Sequence, residues 1–186
     1  HGDVSTREND LLKDSLDLFF EGIGEALGSV LMAKDLQVRL DPKRGNHFMT
    51  PLTLNLNPNG LTQWTIVHEL GHALDAVNEW QLSKRMRVFT HSGFLIKPLH
   101  YAYPNWRLFW YRAGKPPPPC GIDKNFNSVE DFAETVTAFL IPEEAKRKAE
   151  ERGYPYEKWG YSRFQQTPRG KFFQELIGTK TKKTLY

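Results

Sequence analysis

The short segment HELGH, His68–His72, constrains this sequence more than any other feature. Each residue of an α-helix advances by about 100°, so histidines four positions apart lie on one face, about one turn apart. Both imidazoles can therefore bind one metal ion, and Glu69 lies near enough to meet a water molecule on that metal. This is the reason for the His-Glu-x-x-His spacing of zinc hydrolases. The segment predicts a helix with two zinc ligands and raises the question of what completes the site.

The residues around the histidines favour a helix at the edge of a hydrophobic core. Residues 58–60, Pro-Asn-Gly, are a turn signal, and we expect the helix to begin near Thr62. An apolar stripe runs beside the histidines, formed by Val67, Leu70, Leu74 and Val77. Gly71 costs about 1 kcal/mol relative to alanine inside a helix, which indicates that another element packs very close to it.

A catalytic zinc usually has three protein ligands and one open position, so a third ligand is needed. A third histidine would follow a glycine in the extended motif, but those two places hold Asp75 and Asn78. A ligand aspartate in a Gly-Thr-x-Asp setting is poorly matched by residues 121–123, Gly-Ile-Asp. A ligand glutamate on a second helix is matched by Glu130, with Glu134 four positions further on.

The segment NSVEDFAETVTAFL, residues 127–140, has apolar residues at helical spacing, with Asn127 or Ser128 as its cap. Glu130 and Glu134 flank the apolar stripe, where a charged group needs a partner. We therefore expect Glu130 to bind zinc and Glu134 to accept the free ring N–H of a ligating histidine.

Two further expectations concern acidic residues near the same helices. Asp131 and Thr135 are expected on the outward face of the second helix. Asp75, one turn after His72, is a second candidate to orient a ligating histidine.

These two motifs together resemble those of gluzincins, and more narrowly those of the anthrax-lethal-factor-like group, which includes the Pro-Pro endopeptidases. Members of that group pair His-Glu-x-x-His-Ala-x-Asp with Asn-x-x-Glu-x-Phe-Ala-Glu. The matching stretches here are HELGHALD from His68 and NSVEDFAE from Asn127. The resemblance covers the two helices that carry the motifs.

The resemblance implies an α+β, zincin-like catalytic domain that spans residues 1–186. An upper lobe, about residues 1–79, would hold a small mixed sheet and the histidine helix. A mainly helical lower lobe, about residues 80–186, would supply the third ligand. It further implies that an edge strand with Leu54, Asn55 and Leu56 pairs with an extended peptide substrate, and it favours an extracellular location.

The sequence departs from the family at one position. The family has a tyrosine seven residues before the ligand glutamate, where it stabilises the developing oxyanion, and that position here is Asp123. Tyr111 is the expected substitute, and four other residues could serve: Tyr101, Tyr103, His91 and His100. Loss of an oxyanion donor costs about 3–4 kcal/mol, so a working enzyme should have one.

Other stretches predict ordinary elements of one domain. Apolar spacing predicts a helix over residues 11–32, loosened at Gly22 and Gly24, and alternation predicts strands at 36–40 and 52–57. Helices are also expected from Pro142 to about Arg152 and after Pro168. The aromatic and proline-rich stretch 92–119 is expected to be irregular, with most of its large aromatics in the core.

Composition excludes several other classes of protein. The chain has 186 residues, 39% of them hydrophobic, and a net charge of +3 with no basic stripe, which argues against nucleic-acid binding. No apolar run reaches the length of about 18 residues that a membrane span needs.

The single cysteine, Cys120, excludes an internal disulfide. We interpret it as a small buried residue rather than as a thiolate that blocks a zinc site. The oligomeric state is left open.

The sequence therefore predicts a zinc-dependent endopeptidase that acts on a peptide or protein substrate. His68, His72 and Glu130 would bind one Zn²⁺, and Glu69 would serve as general base. Two alternatives stay open at this point. One is a zinc hydrolase of non-peptide substrates, and the other is a binding module with a vestigial metal site.

Overall fold

The computed structural model describes residues 6–49, 52–90, 127–151 and 161–182. One long helix comes first, three short strands follow it, and the remaining described elements are helices. The elements are α1 (Thr6–Met32), β1 (Gln37–Leu40), β2 (His47–Met49), β3 (Thr53–Leu56), α2 (Gln63–Val77), α3 (Gln81–Phe89), α4 (Ser128–Leu140), α5 (Pro142–Glu151), a 3₁₀ helix (Tyr161–Gln166) and α6 (Pro168–Lys182).

Helix α1 packs along the core and bends at one of the two predicted glycines. Gly24 has φ of 75° and ψ of 161°, which only glycine adopts without strain, so the helix is kinked there. Gly22 has a different role, because a Cβ atom on it would lie 2.2 Å from the side chain of Leu140 in α4. The face of α1 that packs inward is formed by Phe19, Ile23, Leu27 and Leu31.

Three short strands form a mixed sheet in the order β1-β3-β2. β1 runs parallel to β3, and β2 runs antiparallel to it. The two predicted strands are present as β1 and β3, whereas β2 was not predicted. The sheet and the surrounding helices agree with the expected α+β class at this level.

The prediction that Leu54, Asn55 and Leu56 lie on an edge strand is wrong. They belong to β3, which is the central strand and pairs with a neighbour on both sides. All four residues of β3 are buried, and its backbone is hydrogen-bonded to β1 and β2. A peptide therefore has no free edge on β3 to pair with.

The outward position predicted for Asp131 and Thr135 is also wrong, because both side chains are only 1% exposed. The C-terminal helix α6 packs against α4 and covers that side of it. Arg169 of α6 reaches Asp131 in a buried ion pair, with its Nε 2.7 Å from Asp131 Oδ1. The burial of this charged group is therefore balanced by a charge of opposite sign.

The main core is shared by α1, α2, α3, α4, α6 and the sheet, so helices and sheet enclose one hydrophobic core. Of the stripe predicted in α2, Val67, Leu70 and Leu74 are completely buried and Val77 is partly buried against the core, and Ile66 is buried as well. No helix within the described ranges is both long enough and apolar enough to cross a membrane.

Two glycines of α6, one closely packed and one exposed, allow the packing of this helix to be tested by substitution. A Cβ atom on Gly170 would lie 2.2 Å from Phe164 O and 2.5 Å from Gln165 Cα, both backbone atoms, so Gly170→Ala should destabilise the fold by about 1–3 kcal/mol. Gly178 in the same helix is exposed and has nothing within 4 Å, so Gly178→Ala should stabilise it by about 0.5–1 kcal/mol. Urea unfolding of both variants measures the two free energies. Equal effects would contradict the close packing at Gly170.

Candidate metal centre

Helix α2 places the two histidines of the motif side by side. The helix begins after Thr62, whose Oγ1 accepts a hydrogen bond of 3.2 Å from Thr65 N–H. Two turns later the Nε2 atoms of His68 and His72 lie 3.1 Å apart, with the ring planes nearly perpendicular at 88°. Both imidazoles therefore present the same type of nitrogen to one point.

Helix α4 brings a carboxylate to that point. Asn127 caps the helix, as one of the two predicted caps, and its Oδ1 accepts hydrogen bonds from Val129 N–H and Glu130 N–H. Glu130 follows in the first turn, with Oε2 3.3 Å from His68 Nε2 and 3.5 Å from His72 Nε2. The structure thus brings the three predicted ligands together from two helices.

The three atoms form a triangle of the size that a tetrahedral metal site requires. Ligand nitrogens and oxygens lie about 2.0–2.1 Å from zinc, which places neighbouring ligands of a tetrahedron about 3.3–3.4 Å apart. The observed sides of the triangle are 3.1, 3.3 and 3.5 Å. His68, His72 and Glu130 could therefore hold one metal ion.

A very close approach of α2 and α4 makes this triangle possible. A Cβ atom on Gly71 would lie 3.0 Å from Ala133 Cα and 3.3 Å from Ala133 Cβ. The prediction that an element packs closely against Gly71 is confirmed, and that element is α4. Small residues on both helices let the backbones meet, so the short side chains of the site can span the gap.

Glu134 lies behind His68, on the side of the ring opposite the metal position. Its side chain is completely buried, and its Oε1 is 3.2 Å from His68 Nδ1. This places the carboxylate at ion-pair distance from Nδ1, and the prediction that Glu134 accepts the ring N–H and sets the tautomer of His68 stays a prediction.

Glu69 is buried beside the histidines, with 5% of its surface exposed. Its Oε2 has no hydrogen-bond partner among the described residues. Burial raises the pKa of Glu69, and the neighbouring charge of Glu130 adds to this, while His68 and His72 oppose it. A buried carboxylate oxygen of raised pKa that lies beside the two histidines is suited to accept a proton and return it.

The carboxylates give the site a strong preference for positive charge. Burial alone would lower the pKa of His68, but hydrogen bonds to Glu130 and Glu134 outweigh it and raise that pKa to about 10. Burial would raise the pKa of Glu130, yet its hydrogen bonds to His68 and His72 lower that pKa well below its usual range. In the protein without a metal, a proton on His68 balances these carboxylates, and a cation can replace it.

Asp75 contacts a different part of the fold from the one predicted. It is completely buried, and its Oδ1 accepts hydrogen bonds from Leu82 N–H at 3.0 Å and Ser83 N–H at 3.1 Å. These are the first residues of α3, which follows α2 after a turn. The hydrogen bonds of Asp75 thus fix α3 to α2, and within the described ranges none of them reaches a histidine.

Several residues predicted from the sequence lie outside the described residues. They are the oxyanion candidates Tyr111, Tyr101, Tyr103, His91 and His100, together with Asp123 and Cys120. Their roles stay predictions. Sequence reasoning also missed Arg169, whose contact with Asp131 joins residues 38 positions apart and has no local signal.

Comparison of the chain with protein-family models, characterised proteins and solved structures found no match. No family assignment follows from these comparisons.

The triangle of ligand atoms predicts one divalent metal ion per chain. Zn²⁺ or Co²⁺ should bind with a stoichiometry of one, and His72→Ala and Glu130→Gln should each weaken the binding strongly, because two ligands hold an ion poorly. Glu143→Gln is the matched control for Glu130→Gln, since Glu143 is an exposed glutamate in the first turn of α5. Calorimetric titration measures all four proteins. Equal affinity in the control and the ligand variants would contradict this site.

The close approach of α2 and α4 predicts a separate effect of Gly71→Ala. The added methyl group meets backbone atoms of Ala133, so the helices must move apart by a few tenths of an ångström. Metal affinity should fall on the order of tenfold, as for other changes that displace ligands without removing them. Gly178→Ala, which meets nothing within 4 Å, should leave the affinity unchanged. An unaltered affinity in Gly71→Ala would show that the spacing of the helices is not critical.

Proposed function

We propose that this chain is a zinc-dependent endopeptidase with a zincin-like fold. The observation that carries the proposal is the triangle of His68 Nε2, His72 Nε2 and Glu130 Oε2, with sides of 3.1–3.5 Å. Two imidazoles and one carboxylate are the ligand set of catalytic rather than structural zinc sites, because they leave a fourth position open. A catalytic zinc supplies an acidified water molecule and polarises a carbonyl group.

Glu69 is the proton carrier in this proposal. Its Oε2 is buried beside the two histidines and has no hydrogen-bond partner among the described residues. It would take a proton from the attacking water and deliver it to the leaving amine. Glu69 would therefore serve first as the base and then as the acid, and its burial keeps most bulk water away from the carboxylate.

His68 owes its orientation to Glu134. The Nδ1 atom faces the buried carboxylate at 3.2 Å, so a proton on Nδ1 is stabilised and Nε2 keeps its lone pair for the metal. His72 and Glu130 complete the site from the other side. The chain thus supplies a ligand set, a fixed tautomer and a base, which are the parts that metal-assisted hydrolysis requires.

A peptide substrate is supported by an edge strand of the sheet as well as by the resemblance of the motifs. Among the described residues, β2, His47–Met49, is an edge strand and lies against α2, the helix with the two histidines. An extended peptide that paired with β2 would gain backbone hydrogen bonds near the site. The substrate-binding role expected of Leu54, Asn55 and Leu56 is therefore reassigned to the backbone of β2.

The test is cleavage of a diverse peptide pool that includes proline-rich members, read as new termini by mass spectrometry. Glu69→Gln should lower the rate by about 10²–10⁴-fold, since it removes the general base and keeps the shape. Zinc affinity should persist, because Glu69 is not a ligand. Glu143→Gln, an exposed glutamate at the start of α5, is the control and should cleave at the wild-type rate.

Three results would contradict the proposal in distinguishable ways. Equal cleavage by wild type and Glu69→Gln would reject the mechanism. Hydrolysis of small esters or amides without cleavage of any peptide would favour a zinc hydrolase of non-peptide substrates. A protein that binds no zinc would favour a binding module with a vestigial site.

A further inference from the structure

A buried ion pair joins α4 to α6 one position along the helix from the proposed metal ligand Glu130. Arg169 Nε donates to Asp131 Oδ1 at 2.7 Å, and Arg169 Nη2 donates to Asp131 Oδ2 at 2.9 Å. Both residues are 1% exposed, and Arg169 is the largest of the fully buried side chains in the described part of the chain. The two parallel bonds fix the carboxylate in direction as well as in distance.

Asp131 is the immediate neighbour of the ligand Glu130 along α4. Successive helix residues differ by about 100° in direction, so the two carboxylates leave the helix on different sides. Glu130 and Glu134 reach the histidines of α2, while Asp131 reaches α6. Side chains from the same turns of α4 are therefore bound by α2 on one side and by α6 on another. Together these two sets of contacts restrain the rotation of α4 about its own axis.

The corner before α6 holds Arg169 rigidly. Thr167 Oγ1 donates to Phe164 O at 2.6 Å and accepts from Gly170 N–H at 3.1 Å, so the turn between the 3₁₀ helix and α6 is closed by side-chain bonds. Gly170 lies against the backbone of Phe164 and Gln165 with no room for a Cβ atom. Arg169 thus starts from a backbone position that these contacts hold in place.

The rotation of α4 matters because the ligand carboxylate is far from the helix axis. Side-chain tips lie about 5–6 Å from the axis, so a rotation of about 20° moves a tip by about 2 Å. Functional groups must be held to within about 0.5 Å to work. The close contact of Gly71 with Ala133 sets the distance between α2 and α4, but a sliding contact between small residues sets the rotation only weakly.

We propose that Arg169 is a positioning residue that acts through Asp131 to fix the rotation of α4, and so places Glu130 and Glu134 against the histidines. This inference rests on the proposed metal site. Arg169 touches neither the metal position nor a substrate; its effect is on the geometry and affinity of the metal centre. The C-terminal helix α6 is therefore a part of the site, although it contributes no ligand.

A purely stabilising role for the ion pair makes a different prediction. Replacement of a buried ion pair by apolar residues of similar volume is often neutral or stabilising, whereas removal of one partner leaves a buried charge. The double variant Asp131→Leu/Arg169→Met should therefore keep the fold and lose the pair of parallel hydrogen bonds, or two-point fork, between the two side chains. If the pair served only stability, this variant would bind metal as the wild type does.

The experiment compares metal binding by the wild type, the double variant and a control in which an exposed pair is removed, Glu144→Ala/Arg147→Ala. Glu144 and Arg147 form an ion pair on the surface of α5 and should not affect the site. Zn²⁺ affinity is measured by competition with a chelating dye, and the visible spectrum of bound Co²⁺ reports the coordination geometry. Urea unfolding of the metal-free proteins reports stability separately.

We expect the double variant to bind Zn²⁺ about 10–100-fold more weakly, in the range seen when groups that orient ligands are lost. Its Co²⁺ spectrum should change, while its urea midpoint without metal stays close to that of the wild type. Should the double variant fail to fold, Arg169→Lys keeps the charge opposite Asp131 but not the two-point fork, and should show the same weaker binding.

Wild-type affinity and an unchanged Co²⁺ spectrum in a folded variant without the fork would overturn the inference and leave the proposed function intact. A wild-type protein that binds neither ion would overturn both. Glu130→Gln, measured beside the others, shows the loss that follows when a ligand itself is removed, and so separates a displaced ligand from a missing one.

Discussion

The distance between α2 and α4 is the constraint on which the rest of the structure depends. At their crossing, Gly71 meets the backbone of Ala133 so closely that a Cβ atom would lie 3.0 Å from Ala133 Cα. Imidazole and carboxylate side chains are short, and they converge on one point only if the helices carrying them nearly touch. The glycine therefore lowers the intrinsic stability of α2 and in return makes the triangle of His68, His72 and Glu130 possible.

Opposite charges explain why several ionisable side chains can be buried where α2 and α4 cross. Glu69 and Glu134 are almost completely buried, and Glu130 is partly so, which would be costly for carboxylates without partners. His68 provides balancing charge, as its raised pKa shows. The arrangement is therefore complementary to a cation, and a bound metal would supply directly the charge that protons supply in its absence.

The sequence predicted those parts of the site that depend on spacing along one helix, and failed where distant residues meet. The positions of His68 and His72 follow from helical periodicity, and Glu130 and Glu134 follow from the same rule on α4. β2 was missed because three residues are too few for an alternating pattern to show. α3 was missed because Asp75 fixes its start from the preceding helix. The central position of β3 depends on β2, so the error about its edge followed from the first omission.

The outward assignment of Asp131 failed for a more informative reason. An aspartate beside an apolar stripe is usually exposed, because burial of its charge is costly. Here α6 covers it and supplies Arg169 from 38 residues away, a pairing that no local pattern could indicate. Such a pair adds little net stability over apolar residues of the same volume. Its value lies in direction, since two parallel hydrogen bonds fix the orientation of the carboxylate as well as its distance. On a helix whose preceding residue is a proposed metal ligand, this added restraint helps to keep the ligand in place.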